Sequence, residues 1–156
     1  MATSGGRASC GREFYPLADK IFRWVTAAHT AVYRTTGGKL GGRMQGSPVL
    51  LLDTVGRKTG KERTTPLLYL PNGPNMAIVA SKGGALKHPA WWLNLKAGPE
   101  TTVQVGSRRL KVLAEETAGD DRDWLWTRLV AMYPGYADYQ RRTDREIPVV
   151  RLRPAG

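Results

Sequence analysis

The sequence predicts an α+β protein in which a mostly antiparallel sheet curls into a small barrel and helices flank it. Short apolar runs alternate with glycine-rich turns through the middle of the chain, and helical periodicity occurs before and after that stretch. Hairpins with helices set between them are typical of this class. The chain has 156 residues, of which 41% are apolar, enough for one buried core but too few for two. We therefore expect one domain over residues 13–156, preceded by a disordered tail over residues 1–12.

The first element is a basic amphipathic helix, expected over residues 13–34. Its apolar side chains recur at helical spacing and are Phe14, Leu17, Ile21, Val25, Ala28 and Val32. Because the basic residues fall off this stripe, we expect the stripe to cover the sheet. Contact with anionic lipid, or a role as a lid over a pocket, is the alternative. Four glycines between residues 37 and 42 then end the helix in a linker over residues 35–47.

Most of the remaining chain is predicted to form strands. The expected strands are residues 49–52, 63–70, 76–80, 101–105, 110–114 and 147–152. After the third of them, a glycine-rich segment leaves the sheet, and Pro89 begins a short helix that carries Trp91 and Trp92. We expect at least one of these tryptophans to pack in the core.

Two further helices are expected before the last strand. Thr117 and Asp120 have the spacing of a capping box, which predicts that Thr117 caps a helix running to Met132. Pro134 and Gly135 end that helix, and a second short helix follows.

Charge and composition restrict the partners. Lys and Arg number 24 against 13 Asp and Glu, a net charge of +11, which indicates nucleic acid, an anionic membrane or a cofactor with phosphate and carboxylate groups. Nucleic acid is disfavoured, because the cations are predicted on loops and the aromatic residues on helices. The lone cysteine, Cys10, fits a reducing cytoplasm. No cluster of metal ligands stands out, so no metal site is expected.

A basic turn is the first candidate site. The segment Arg57-Lys58-Thr59-Gly60-Lys61 lies between two predicted strands. Such a turn can aim backbone N–H groups, a hydroxyl and several cations at one phosphate. It is not a P-loop, since the spacing differs and a strand follows it. A solvated hairpin tip is the alternative.

Two other segments could contact a flat ligand. The small residues of Ala80–Gly84 would let a planar ring approach the backbone, while Ser81 can donate a hydrogen bond and Lys82 adds a charge. The alternative is a plain glycine-rich connection. Three tyrosines near the C-terminus could stack on a substrate, or could simply pack on the sheet; they are Tyr133, Tyr136 and Tyr139.

Four segments carry a family resemblance when taken in order. They are TVGRKTGKERTTPL at 54–67, ASKGG at 80–84, HPAWWLNL at 88–95, and YPGYADYQ at 133–140 leading into REIPV at 145–149. Together they resemble the deazaflavin (coenzyme F-420)-dependent nitroreductase and quinone reductase family, split β-barrel oxidoreductases of actinobacteria. The resemblance covers roughly Pro48 to the C-terminus. Trp92 is a departure, since tyrosine is more usual there.

The resemblance implies a split β-barrel that binds a reduced 8-hydroxy-5-deazaflavin coenzyme, coenzyme F-420, which carries a phosphate and a polyglutamate tail. It implies that phosphate is held by Arg57, Lys58, Thr59 and Arg63, and tail carboxylates by Lys39, Arg43 and Lys61. The ring would be lined by Thr64, Thr65, Pro66, Leu67, Leu68, Val79, Ala80, Ser81 and Lys82. The site would be closed by Ala90, Trp91, Trp92, Leu93 and Asn94.

The resemblance also implies a reductase in which the coenzyme gives a hydride to an electron-poor small molecule. Tyr133, Tyr136 and Tyr139 map onto the family's substrate pocket, and Tyr136 or Ser81 would steady negative charge on the acceptor. Expected acceptors are a menaquinone-like quinone, a nitroaromatic compound or a lactone. The expected location is the cytoplasm, with peripheral contact to the inner face of the membrane. A non-catalytic deazaflavin carrier, an FMN-binding barrel and a basic nucleic-acid-binding barrel are the alternatives.

Overall fold

The computed structural model describes the backbone of residues 15–44 and 46–155, and the side chains from residue 25 onward within those ranges. The expected tail over residues 1–12 lies outside them, as do the side chains of Phe14, Leu17 and Ile21.

The described residues form four α-helices, eight strands and one 3-10 turn. The helices are α1 (Tyr15–Thr36), α2 (Ala90–Ala97), α3 (Gly119–Met132) and α4 (Gly135–Arg141). The strands are β1 (Arg43–Met44), β2 (Ser47–Val55), β3 (Glu62–Leu68), β4 (Leu70–Asn72), β5 (Asn75–Val79), β6 (Glu100–Val105), β7 (Arg108–Glu116) and β8 (Val149–Pro154), and the 3-10 turn is Lys82–Gly84. The predicted α+β class is confirmed.

The strands form one antiparallel sheet that curls into a half-barrel. Its order is β1-β2-β6-β7-β8-β5-β4, with β3 paired to β2 outside this path. β3 also comes into contact with β5, yet β2 is its only pairing partner among the described strands. The predicted split barrel is therefore confirmed, and the split is the unpaired seam between β3 and β5.

The largest core cluster fills the inside of the curled sheet. Leu50 and Leu52 of β2 point into it together with Ile78, Val103 and Val150. Trp91 and Trp92 of α2 pack there as well and are 7% and 3% exposed. Burying each leucine side chain contributes roughly 1.5–3 kcal/mol.

The opposite face of β2 is also buried, against α1. Val49 and Leu51 pack on Tyr33, which is 1% exposed. Because successive strand residues point to opposite faces, burial of both faces explains why β2 contains an unbroken apolar run. A third cluster joins β5 and β8 to α3 and α4 through Val79, Leu125 and Tyr136.

For the described side chains, the prediction of which face of α1 contacts the sheet is wrong. Val25 and Val32, both on the predicted stripe, are 62% and 42% exposed. Tyr33 faces the sheet instead, because its hydroxyl finds backbone partners there: it donates to Val49 O at 2.9 Å and accepts from Gly106 N at 2.8 Å. The Tyr33 side chain can be buried at this position because its hydroxyl has hydrogen-bond partners there.

The predicted capping role of Thr117 is also wrong. Ala118 is the N-cap residue of α3, without a side-chain bond. Thr117 is buried, and both its backbone N and its Oγ1 donate to Val149 O, at 3.0 and 2.9 Å. Thr117 is held by β8 instead of capping the helix, so the N-cap moves one residue on, to Ala118, and the helix begins at Gly119.

None of the helices in the part of the chain that the structure describes has the length and apolar character needed to cross a membrane.

Candidate active site

A groove of about 540 Å³ opens at the seam between β3 and β5. Three segments that the sequence singles out meet in its wall. They are Pro66, Leu67 and Leu68 of β3, Val79, Ser81 and Lys82 at the end of β5, and the three tyrosines Tyr133, Tyr136 and Tyr139. Met44, Val49 and Gly83 complete the wall. Its size and mainly apolar lining suit a planar ligand with a few polar groups.

The floor of the groove is a strained turn that follows β5. Lys82 has a φ of +46°, the one left-handed non-glycine residue among those described, and Gly83 and Gly84 follow at +63° and +80°. A Cβ on Gly84 would lie 2.6 Å from the carbonyl oxygen of Tyr139. The turn therefore packs directly on α4, and only glycine permits this approach. Non-glycine residues in such conformations concentrate at functional sites.

Another part of the groove wall is the tyrosine cluster, Tyr133, Tyr136 and Tyr139. The rings of Tyr133 and Tyr136 meet edge to face with centroids 4.9 Å apart. The hydroxyls of Tyr133 and Tyr139 lie 3.0 Å apart and share a hydrogen bond. A Cβ on Gly135 would lie 2.6 Å from the Tyr133 ring, so glycine at the start of α4 allows the rings to close up.

Tyr136 is the most buried of the three tyrosines, at 5% exposed. Burial, together with the neighbouring Tyr133 and Tyr139, raises the pKa of its hydroxyl well above the usual value. The pKa of Tyr139 is also raised, first by the hydrogen bond with Tyr133 and then by burial. Tyr136 therefore keeps its proton at all physiological pH values and can act as a hydrogen-bond donor.

The basic turn lies beyond the groove, at the tip of the β2–β3 hairpin. Gly56 N donates to Lys61 O and Gly60 N donates to Gly56 O, each at 2.8 Å. Asn94 of α2 fixes the turn by accepting from Arg57 N at 3.1 Å. The side chains left exposed on or beside the turn are Arg57, Lys58, Thr59, Lys61 and Arg63. In the linker, Lys39 and Arg43 are exposed too.

A second cavity, of about 500 Å³, lies nearer the tip of the β2–β3 hairpin. Asp53 is its centre: Oδ1 accepts from Arg34 at 2.7 Å and from Thr64 at 2.6 Å. Oδ2 of Asp53 accepts from Arg109 at 2.9 Å. Arg57 and Asn94 also line this cavity. The carboxylate thus ties α1, β3 and β7 together.

Several residues expected around the ring lie away from the groove. Thr64 faces the second cavity, and Thr65 stands opposite Leu52, whose side chain is in the barrel interior. Ala80 is buried in the main core. The segment expected to close the site contributes none of its side chains to the groove wall. Trp91 and Trp92 are core residues, and Asn94 holds the basic turn. Ala90 is exposed, and Leu93 is half-buried.

Arg145 is a residue whose importance the sequence pattern does not reveal. Its side chain reaches the backbone of the segment that carries the strained turn. The only signal is its place in the REIPV motif, where it looks like an ordinary charged residue before a strand.

Comparison with known proteins identifies the family of the chain. The family model described as F420H(2)-dependent quinone reductase matches residues 24–154. A F420H(2)-dependent quinone reductase of Mycobacterium tuberculosis is 44% identical over 128 residues, which are 80% of this chain and 86% of that relative.

Solved structures give the same result. One described as an F420-H2 dependent reductase (FDR-A) is 44% identical, with a TM-score of 0.62, and the match covers 67% of this chain and 93% of the other. Another, described as a domain-swapped dimer, is 38% identical, with a TM-score of 0.65. This match covers 85% of this chain and 98% of the other. The groove, the fold and these similarities lead to one conclusion: the chain belongs to the F420H(2)-dependent quinone reductase family, oxidoreductases whose cofactor is reduced coenzyme F-420.

Proposed function

We propose that the groove at the β3–β5 seam holds the coenzyme ring against the strained turn and a quinone against the tyrosines. The observation that carries this proposal is the meeting of three separate sequence segments in one cavity of about 540 Å³. The residues that line the groove fit the deazaflavin ring of the coenzyme. The apolar β3 wall suits a planar ring, while Ser81 and Lys82 offer a hydroxyl and a cation to its polar edge.

Reduced coenzyme F-420, when bound, supplies the hydride. The residues of the chain position the reactants and steady charge. Tyr136, which remains protonated, donates a hydrogen bond to the acceptor oxygen where negative charge develops. Ser81 is the second donor of this kind. Tyr133 and Tyr139, joined through their hydroxyls, form an aromatic wall against which the acceptor stacks.

The phosphate and tail are assigned to the cations outside the groove. Arg57, Lys58, Thr59 and Arg63 would hold phosphate, with Lys39, Arg43 and Lys61 reaching tail carboxylates. The support is that the backbone of the basic turn is fixed by Asn94 while its side chains stay exposed. Cations on a rigid turn bind phosphate with little ordering cost.

Quinones are the favoured acceptors, and nitroaromatic compounds and lactones are further candidates that an open aromatic groove can admit. Peripheral membrane contact would bring the groove to membrane quinones. In support, Val25 and Val32 form an exposed apolar face on a basic helix. Val25→Asp with Val32→Asp should weaken sedimentation with anionic vesicles. Trp124→Asp, at an exposed position on α3, should not.

Coenzyme binding tests the proposal most directly. Fluorescence titration should saturate with coenzyme F-420 and not with FMN. Ser81→Ala should weaken that binding, whereas Ser107→Ala, at an exposed serine in the turn between β6 and β7, serves as the matched surface control. Tighter binding of FMN than of coenzyme F-420, or an unaltered Ser81→Ala, would contradict the placement of the ring.

A further inference from the structure

We propose that Arg145 is a positioning residue that clamps the strained turn to the tyrosine helix and so sets the distance between the coenzyme ring and the acceptor. This inference rests on the proposed function of the groove. It concerns a residue that does not line the groove and would touch neither reactant.

The guanidinium of Arg145 brackets the turn from both sides. Its Nη2 donates to Ser81 O at 2.8 Å and its Nη1 to Ala80 O at 3.3 Å, both before the turn. Its Nε donates to Ala85 O at 2.9 Å, directly after the turn. A planar fork with five donors can hold three carbonyls at once, which a lysine ammonium cannot do in the same geometry. Among the described residues, none forms an ion pair with Arg145, so its bonds serve the backbone of this loop.

His88 completes the clamp. Its Nδ1 lies 3.1 Å from Arg145 Nη1, and an arginine can only donate, so this nitrogen is the acceptor. Burial, and then the positive charge of Arg145, lower the pKa of His88, which keeps the ring neutral and able to accept. The loop between the turn and α2 is therefore held at both of its ends.

The turn needs such a clamp because the positive φ of Lys82, its one residue other than glycine, is unfavourable by itself. Three successive residues, Lys82, Gly83 and Gly84, have left-handed conformations. Strained backbone persists only where the surrounding structure fixes it from several directions. Arg145 fixes one side of the turn, and the tight contact between Gly84 and Tyr139 O fixes the other.

Arg145 is itself anchored to the tyrosine helix. Gln140 of α4 donates from Nε2 to Arg145 O at 2.8 Å, and its Oε1 accepts from Ile147 N at 3.0 Å. A continuous path therefore runs from the turn through Arg145 and Gln140 to α4, which carries Tyr136 and Tyr139. Since the ring is assigned to the turn and the acceptor to the tyrosines, this path fixes one reactant relative to the other.

Replacement of Arg145 tests the clamp. Arg145→Ala should weaken coenzyme binding and lower kcat with menadione, together by ~10- to 100-fold, because small misplacements of reacting groups have effects of that size. Arg145→Lys should restore little, since one ammonium cannot span the three carbonyls. Guanidinium chloride at low, non-denaturing concentration should partly rescue Arg145→Ala.

Arg122 provides the matched control. It is a half-buried arginine that donates to Ile147 O at 2.7 Å and pairs with Glu146, but it does not contact the turn. Arg122→Ala should lower the melting temperature without changing coenzyme affinity or kcat, and guanidinium should not alter it. Equal effects of Arg145→Ala and Arg122→Ala on kcat and affinity would overturn the inference.

A second variant tests the contact between the turn and α4. Gly84→Ala places a methyl group 2.6 Å from Tyr139 O and should mimic Arg145→Ala. Gly73→Ala is its control, because Gly73 also has a positive φ but would have nothing within 4 Å of its Cβ. If Arg145→Ala does not fold, Arg145→Lys and Gly84→Ala decide the matter: wild-type kcat and affinity in both would overturn the clamp.

The proposed function and the clamp fail in different ways. Unchanged behaviour of both Ser81→Ala and Tyr136→Phe would place the reaction elsewhere and remove the basis of the inference. Impaired Ser81→Ala and Tyr136→Phe beside an unaffected Arg145→Ala would leave the groove in place and overturn the clamp alone.

Discussion

Two cavities of nearly equal size but different chemistry lie along β3. The groove, of about 540 Å³, is lined by apolar strand residues and tyrosines. The second cavity, of about 500 Å³, has charged and hydroxyl side chains in its wall beside apolar ones such as Val55 and Leu95. In the second cavity Asp53 already accepts from Arg34, Thr64 and Arg109. A ligand there would have to displace bonds that stabilise the fold. Cavity volume therefore does not choose between the two cavities, whereas strained backbone and a protonated buried phenol distinguish the groove as the proposed active site.

The largest expected effect separates two buried tyrosines. Tyr136→Phe should lower turnover with menadione by ~10- to 100-fold, because it removes one donor to an oxygen that becomes negative. Tyr33→Phe removes a hydroxyl bound to Val49 O and Gly106 N and should lower stability while leaving turnover near wild type. Steady-state kinetics and melting curves on both variants measure the contrast. A Tyr136→Phe enzyme with wild-type turnover would make this phenol a packing residue.

Asp53→Asn tests the structural role of the second cavity. Removing the charge weakens the bonds from Arg34 and Arg109, and we expect a loss of ~1–3 kcal/mol in the free energy of unfolding. The site is only partly buried, since the Asp53 side chain is 23% exposed, which places the loss toward the lower end. Coenzyme affinity should not change. Urea denaturation measures the stability, and fluorescence titration measures the coenzyme affinity. A large loss of affinity without a loss of stability would make this cavity a ligand site.

Coenzyme affinity should also depend on the exposed cations of the basic turn. Lys58→Ala and Arg63→Ala should each weaken binding by ~0.5–1.5 kcal/mol, a modest effect because exposed charges are screened. Binding to the wild-type chain should weaken as salt rises, and less steeply in either variant. Titration at several salt concentrations gives both slopes. Identical slopes would show that the phosphate is held elsewhere.

The smallest expected effect concerns alkaline stability. The pKa of Tyr136 is raised, so the folded protein holds this proton more tightly than the unfolded chain does. The resulting stabilisation is complete below about pH 10, the ordinary tyrosine pKa, and is lost as the pH rises toward the folded value. Urea denaturation from neutral pH to about pH 11 should show a shallower decline in Tyr136→Phe than in wild type. Equal declines would contradict burial of the phenol.

The sequence predicts what depends on local pattern and on ordered motifs. The apolar run of β2, the turn after β5 and the tyrosines of α4 follow from residue types at fixed positions. Their meeting at one groove is a tertiary outcome. It arises because β3 and β5 come together at the seam. The periodicity of the sequence does not predict this meeting, whereas the family resemblance does.

The errors have a common physical origin. Both α1 and Thr117 offered a plausible local pattern, but a backbone partner distant in sequence decided the outcome. Tyr33 reaches Gly106, 73 residues away, and Thr117 reaches Val149, 32 residues away. The position of Thr64 was likewise not foreseeable from local pattern, since its hydroxyl donates to Asp53, 11 residues away. The contacts of Arg145 could not be predicted for the same reason, since most of its partners are carbonyl groups, which every residue carries.

The unpaired side of β3 has a consequence for the chain without its coenzyme. A seven-residue strand with one partner offers N–H and C=O groups to any other extended chain, and such edges promote aggregation. β3 begins with the charged pair Glu62 and Arg63 and has Pro66 near its centre. Proline cannot donate to a new strand, and charges discourage stacking of copies. Pro66 thus lines the groove and also hinders a foreign strand from pairing along the seam where the coenzyme ring is proposed to bind.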